Sequence, residues 1–305
     1  MTISAENENE VSAPVEASGA GASVAPAPVS PQVYYASSDM YQLLSNFLFL
    51  TTPELIAAVA DGSLAQDVDS ILFDLGVSPK DRRPLVEPFE GLRISSSADS
   101  EPAADAAEPT PEADSEPATA ALVASASESE PASATDSEPE PKWKKAVAPA
   151  FPDEARNHLF HQVRRDYTHL FYNPKISVMT PFQARFLKEE TDLMEPRGAI
   201  PKGTSRLFAA AGFASARAPK ERTDHMGVQL EFMQAIRFSQ GAVLESGEES
   251  SFQAAYRTAA DFTTRYFRRW DQDFFKAVEE NALTDLYRAV GRLGAWFTAW
   301  DSGLD

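Results

Sequence analysis

Asp224 and His225 stand side by side at the head of a long apolar run, and no other pair in the chain is better equipped for chemistry. A carboxylate beside an imidazole can relay a proton, help to hold a metal or take up a cation. Metal chemistry needs more than this pair supplies. The chain has four histidines. His158, His161 and His169 fall on one expected helix, where 11 residues separate the first from the last. At 1.5 Å per residue they lie roughly 16 Å apart and cannot share an ion. His158 and His161 are one turn apart, with Glu154 nearby, but the local sequence offers no third and fourth ligand. Nucleophilic chemistry has no better case. There is no Gly-x-Ser-x-Gly elbow, and no glycine-rich loop of either phosphate-cradling pattern. The absence of cysteine removes thiol catalysis, thiolate metal sites and disulfides. No metal, no cofactor and no enzymatic activity are therefore expected. The plainest role for Asp224 is a helix N-cap worth about 1 kcal/mol, with His225 in the first turn.

The helix that such a cap would open is unusual. Met226, Leu230 and Met233 share one face, while Val228, Phe232 and Ile236 occupy another. A helix apolar on two sides is contacted from both and sits centrally. The turn before it is then held rigidly. Other stretches show a single helical stripe. Met40, Leu43, Leu44, Phe47 and Leu48 form one, and Leu159, Val163, Tyr167 and Leu170 form another. Leu283, Leu286, Tyr287, Val290, Leu293, Phe297 and Trp300 form a third. Thr52-Pro53 opens a short helix that Gly62 closes. Ser63-Leu64-Ala65-Gln66 has the pattern of a capping box, opening a helix that carries Leu64, Val68, Ile71, Leu72 and Leu75, with Gly76 at its end. No run alternates long enough to argue for a strand. The expected fold class is all-α, a helical bundle.

Charge and composition divide the 305 residues. The net charge is −19, but residues 94–141 hold 12 acids and no base, and the first 32 residues hold four acids and no base. The rest carries only −3, which argues against a nucleic-acid partner. Residues 1–32 and 94–142 are rich in Ala, Ser, Glu and Pro and poor in large apolar side chains, so both are expected to be disordered. Asp-Ser-Glu-Pro recurs at 99–102, 114–117 and 136–139, a low-complexity pattern rather than a stacking repeat. The expected organisation is a tail at 1–32, a helical segment at 33–93, an acidic insert at 94–142 and a main helical segment at 143–305 that packs with 33–93 as one domain. A coil as long as the insert leaves its ends roughly 35–42 Å apart, which permits a monomer or a domain-swapped dimer. The acidic N-terminus lacks the basic region of an export signal, and no stretch approaches 18 apolar residues. A cytoplasmic location without stable membrane insertion is expected.

Several blocks together resemble the TorD/DmsD family, cytoplasmic chaperones for redox enzymes exported by the twin-arginine route. Asp224-His225, followed by Leu230, Glu231, Phe232 and Met233, resembles the family's Asp-His-x-x-x-x-Leu-x-Phe-Met stretch. Asp166-Tyr167-Thr168-His169-Leu170-Phe171, with Pro174 and Pro181, resembles its Tyr-x-x-Leu-Phe block and proline loop. Phe262, Phe267, Trp270 and Phe274 resemble a later aromatic block, and Leu286-Tyr287 and the Tyr34–Leu75 helices are similar to its last and first parts. Thr223 stands where proline is usual, Tyr266 where a second histidine is usual, and Phe182-Gln183-Ala184 replaces Pro-Glu-Ser. The resemblance implies a chaperone that binds the twin-arginine signal peptide, the apo form, or both, of an exported oxidoreductase, often molybdenum-dependent, until its cofactor is loaded. It places a peptide groove near the Asp224–His225 turn and the Pro174–Pro181 loop. The implied contacts are Asp224 and His225 first, then Tyr167, Phe171, Pro181, Leu230, Glu231 and Trp270, with core packing the stronger reading for Leu230 and Trp270. Asp224 can be both cap and ligand. The alternatives are an assembly chaperone for a non-exported redox subunit and a nucleotide hydrolase.

Overall fold

The computed structural model describes residues 29–94, 151–172, 177–188, 199–215 and 221–304. Residues 1–28 of the expected tail, 95–142 of the expected insert, and Pro174 lie outside the described residues. The fold is all-α. Its centre is helix α8, Met226–Ser246, whose first eight residues are all buried. This is the helix with two apolar faces. Helix α1, Pro31–Asn46, lies along it. On the other side α9, Glu249–Arg265, packs through Phe262 against Phe232, their ring centroids 4.9 Å apart.

The first helical segment continues with α2, Pro53–Asp61, α3, Ser63–Asp74, and α4, Pro79–Glu90. Thr52 caps α2 as expected, its hydroxyl accepting from the Leu55 amide, and Gly62 ends the helix at φ +86°. The capping box expected at Ser63 does not form. Gly62 is itself the residue before α3, so Ser63 already lies inside the first turn and donates its hydroxyl to the Ala58 carbonyl. Asp61 takes the Ser63 amide instead.

Beyond the expected insert, α5 spans Glu154–Tyr167 and runs into a π-helical turn at Thr168–Tyr172. The short helices α6, Gln183–Phe186, and α7, Ala199–Ala210, precede the Asp-His turn. After α9 a short 3-10 turn, Phe267–Arg269, leads into α10, Asp271–Asn281, and α11, Asp285–Asp301. Of the expected final stripe, Leu283 falls out of the core. It precedes the helix, is 50% exposed, and gives its amide to the buried Asp166 carboxylate. Asp166 also accepts the amide and hydroxyl of Thr284, the N-cap of α11, and so ties α5 to the start of the last helix.

One apolar core runs from α1 to α11. Inside it sits a charged cluster. Asp301 accepts Ser37, Tyr41 and the Arg237 guanidinium at 2.6–3.1 Å, and Arg268 reaches it at 3.1 Å. Burial, the largest single influence, would raise the Asp301 pKa, but the charge and hydrogen bonds of Arg237, with Arg268 and Ser37, together outweigh it and hold the carboxyl below its usual range. Four parts of the chain thus meet on one carboxylate. Among the described residues no helix is long and apolar enough to cross a membrane, and no group of acidic and histidine side chains could hold a metal ion.

Candidate functional site

The turn before α8 is fastened to the proline loop by backbone as well as side chains. The Gln183 amide donates to the Asp224 carbonyl at 2.9 Å, and the Met226 amide donates to the Pro181 carbonyl at 2.8 Å. Phe182 and His225 form an isolated antiparallel bridge. Asp224 is fully buried. It does not cap α8. Its carboxylate accepts two hydrogen bonds from Arg222, each 2.9 Å, and a third from the Ala184 amide at 3.3 Å. The cap is His225, whose Nδ1 accepts from the Gly227 amide at 3.1 Å. The reason is geometric. Asp224 lies in the turn one residue too early, where its side chain faces Arg222 and α6 rather than the free amides of α8.

His225 is enclosed by aromatic rings. It stacks on Phe49 at 5.4 Å and meets Phe182 edge-on at 5.2 Å. Burial first, and the Arg222 charge second, push its pKa down to about 3. The imidazole is therefore neutral at pH 7, with its proton on Nε2, because Nδ1 is an acceptor. Gly227 makes the Phe49 contact possible, since a Cβ there would sit 2.9 Å from the Phe49 ring tip.

Most of the other residues singled out from the sequence converge beneath this turn as core. Leu230 and Trp270 are buried. The Trp270 indole donates to Gln229 Oε1 at 3.0 Å, Gln229 donates to Gln183 Oε1 at 2.9 Å, and Gln183 donates to the Tyr266 carbonyl. A buried relay thus links the proline loop, α8 and the aromatic block after α9. Glu231 is buried and accepts the Ser215 hydroxyl. Pro181 is buried under the turn. Tyr167 and Phe171 pack on each other at 5.6 Å, and Phe171 stacks on Phe274. Burial, then the nearby Glu221 and Tyr172, pushes the Tyr167 phenol up to about 12. A cavity of about 270 Å³ lies beside the proline loop, between Phe171, Met179, Phe182 and Arg185.

A larger opening lies on the other side of His225. Phe49 carries one face against the imidazole and also lines a cleft of about 710 Å³ between α1, α2 and α3. The apolar lining includes Leu43, Leu50, Leu55, Leu64 and Ile71, and Leu50 is 52% exposed. Asp39, Glu54 and Asp67 stand in the same lining, which among the described residues holds no Lys or Arg. Desolvation first, and the neighbouring Asp74 second, raise the Asp39 pKa. Phe49, Asp39, Gln183 and Arg222 were not legible as site residues. Only the helical patterns of 40–48, 52–62 and 63–75 pointed toward that surface.

No curated protein and no solved structure matches the chain. The family model described as nitrate reductase delta subunit matches residues 131–276, a stretch that holds α5 through most of α10, the proline loop, the Asp224–His225 turn and Trp270. The α1–α3 cleft lies outside the matched stretch. This is a family of TorD-like chaperones for redox-enzyme maturation, and residues 131–276 of the chain are similar to it.

Proposed function

We propose that the protein binds the twin-arginine signal peptide of an exported oxidoreductase, molybdenum-dependent in the simplest case, and holds the apo enzyme in the cytoplasm until its cofactor is loaded. The observation that carries this reading is the α1–α3 cleft, with its apolar floor, its three carboxylates and, among the described residues, no cationic side chain in its lining. A twin-arginine leader has two parts, a guanidinium pair and an apolar stretch. The apolar stretch suits a hydrophobic groove between helices. Each guanidinium suits a carboxylate, which it can meet through two parallel hydrogen bonds.

Asp224 and His225 serve this site from behind. Asp224 is occupied by Arg222, and His225 is wedged between Phe49 and Phe182. Together they set the position of Phe49, which forms part of the cleft wall. The test is calorimetric titration with synthetic leaders from exported oxidoreductases, alongside versions whose Arg-Arg pair is replaced by Gln-Gln. Binding that weakens by tenfold or more on loss of the pair supports the reading. No heat and no competition from any leader would sink it, and a co-purifying redox subunit without an Arg-Arg leader would favour assembly of a non-exported client.

A further inference from the structure

We propose that the chain's own stretch Lys142-Trp143-Lys144-Lys145-Ala146-Val147-Ala148 occupies the α1–α3 cleft when no client peptide is bound. The inference rests on the reading of that cleft as a site for a basic and apolar peptide, and it adds a regulator of the same site.

Between Arg93 and Arg156 the only cationic side chains are Lys142, Lys144 and Lys145. An aromatic ring lies among them, and an apolar run follows. A client leader has the same order, cations first and apolar residues after. The preceding residues 94–141 carry 12 acids and no base. The carboxylates of the cleft repel that part of the segment and attract the lysines, so charge selects one short stretch from a long one.

The segment is rooted at both ends beside helix α2. At its start, the Ile94 amide donates to the Ala60 carbonyl at 2.9 Å, and Arg93 packs over Gly62. At its end, Phe151 is buried against Phe160 just before α5. Helix α5 packs against α2, and the Asp61 carboxylate, its pKa lowered first by hydrogen bonds from Ser63, also feels the charges of Arg156 and Arg93. Both roots therefore stand at the C-terminal end of α2. This helix is also a wall of the cleft, through Glu54, Leu55 and Ala58. Nine residues make α2 about 13 Å long. The six steps from Lys145 to Phe151 span up to about 20 Å when extended, so the lysines reach the far end of the wall.

A segment tethered at both ends meets its own cleft at an effective concentration on the order of millimolar. A stretch too weak to bind as a free peptide then fills the cleft for much of the time, and a client must displace it.

The experiment uses the full chain. A zero-length carbodiimide joins an ammonium to a carboxylate only at contact. Cross-links from Lys142, Lys144 or Lys145 to Asp39, Glu54 or Asp67 are expected by peptide mass mapping, and excess leader should abolish them. The triple variant Lys142→Glu, Lys144→Glu, Lys145→Glu should bind leader about 3- to 10-fold tighter, since the free fraction of the cleft sets the apparent affinity, with unchanged helicity and melting temperature. If the lysines cross-link only within the acidic stretch and the variant binds leader as the parent does, self-docking is overturned while the cleft reading stands. If the expected cross-links form but no leader binds either protein, self-docking stands and the client reading falls.

Discussion

Arg222 closes on Asp224 with two hydrogen bonds of 2.9 Å, and its guanidinium also lies 4.9 Å from the centre of the Phe182 ring. The carboxylate that the sequence offers to a client arginine is thus already holding one from its own chain. It also anchors the Ala184 amide of the proline loop. The Asp-His turn is consequently a fastening between α6 and α8, and a peptide that needed Asp224 would first have to take it from Arg222 and uncover it.

Substituting Asp224 should therefore damage stability before it damages recognition. Asp224→Ala leaves Arg222 without its fully buried partner and the Ala184 amide without an acceptor. Breaking a buried pair from one side costs about 3–5 kcal/mol, and the partial exposure of Arg222 places this one nearer about 2–3 kcal/mol. Urea unfolding should show that loss. Calorimetry on the folded protein should show leader affinity changed by less than about threefold. A variant with wild-type stability and no leader binding would assign Asp224 to the peptide instead.

His225 makes stability depend on pH. Its folded pKa lies near 3, against about 6.5 in an unfolded chain. Between those values the unfolded chain binds the proton and the folded protein does not. The contribution is fully present above pH 6.5 and is lost as pH falls toward 3. From pH 6.5 to 4.5 the loss amounts to about 2–3 kcal/mol. His225→Asn keeps a capping acceptor and removes the titration, so the difference between parent and variant unfolding energies should shrink steadily over that window. A difference that stays constant would show that the imidazole titrates normally in the fold.

What the sequence could and could not convey follows from distance along the chain. Thr52, Pro53 and Gly62 act on their immediate neighbours, and α2 begins and ends where they say. The two-faced pattern from Met226 to Ile236 is likewise local, and α8 is central. Ser63 misled because a capping pattern does not reveal that Gly62 has already turned the chain at φ +86°. Asp224 misled because either member of an Asp-His pair has the chemistry of a cap, and only the Arg222 contact decides between them. Phe49 was invisible because its partner His225 lies far along the sequence. The blocks at Pro181, Leu230 and Trp270 were found together by resemblance, but the Gln183–Gln229 relay that joins them needs the folded backbone to be seen.

Asp301 should be the most sensitive charged position in the core. Its carboxylate is met by Arg237, Arg268, Ser37 and Tyr41, and both it and Arg237 are fully buried. Asp301→Ala strands a buried guanidinium, at a cost of about 3–5 kcal/mol. Replacing both partners, Asp301→Leu with Arg237→Met, removes the stranded charge and should recover part of that loss. Thermal melts of the three proteins test this. A double variant less stable than Asp301→Ala would show that the remaining hydrogen bonds to Ser37, Tyr41 and Arg268 matter more than the Arg237 pair.

Asp39 should behave in the opposite way to Asp224, dispensable for folding and needed for the client. Desolvation and the neighbouring Asp74 raise its pKa, so its charge is mildly unfavourable in the empty protein. A raised folded pKa in a carboxyl means that ionisation works against the fold as pH climbs through its titration, and Asp39→Asn should leave the melting temperature unchanged or slightly higher near pH 7. An arriving guanidinium reverses the balance by offering the carboxylate a partner. Leader binding should then release a fraction of a proton and tighten as pH rises through the Asp39 titration. Calorimetry in two buffers of different ionisation heat measures that release directly. In Asp39→Asn the proton release should vanish and leader affinity should fall by about 3- to 10-fold, within the range of a partly exposed ion pair. Unchanged affinity and unchanged proton release in the variant would move the arginine contact to Glu54 or Asp67, where the same titration can be repeated.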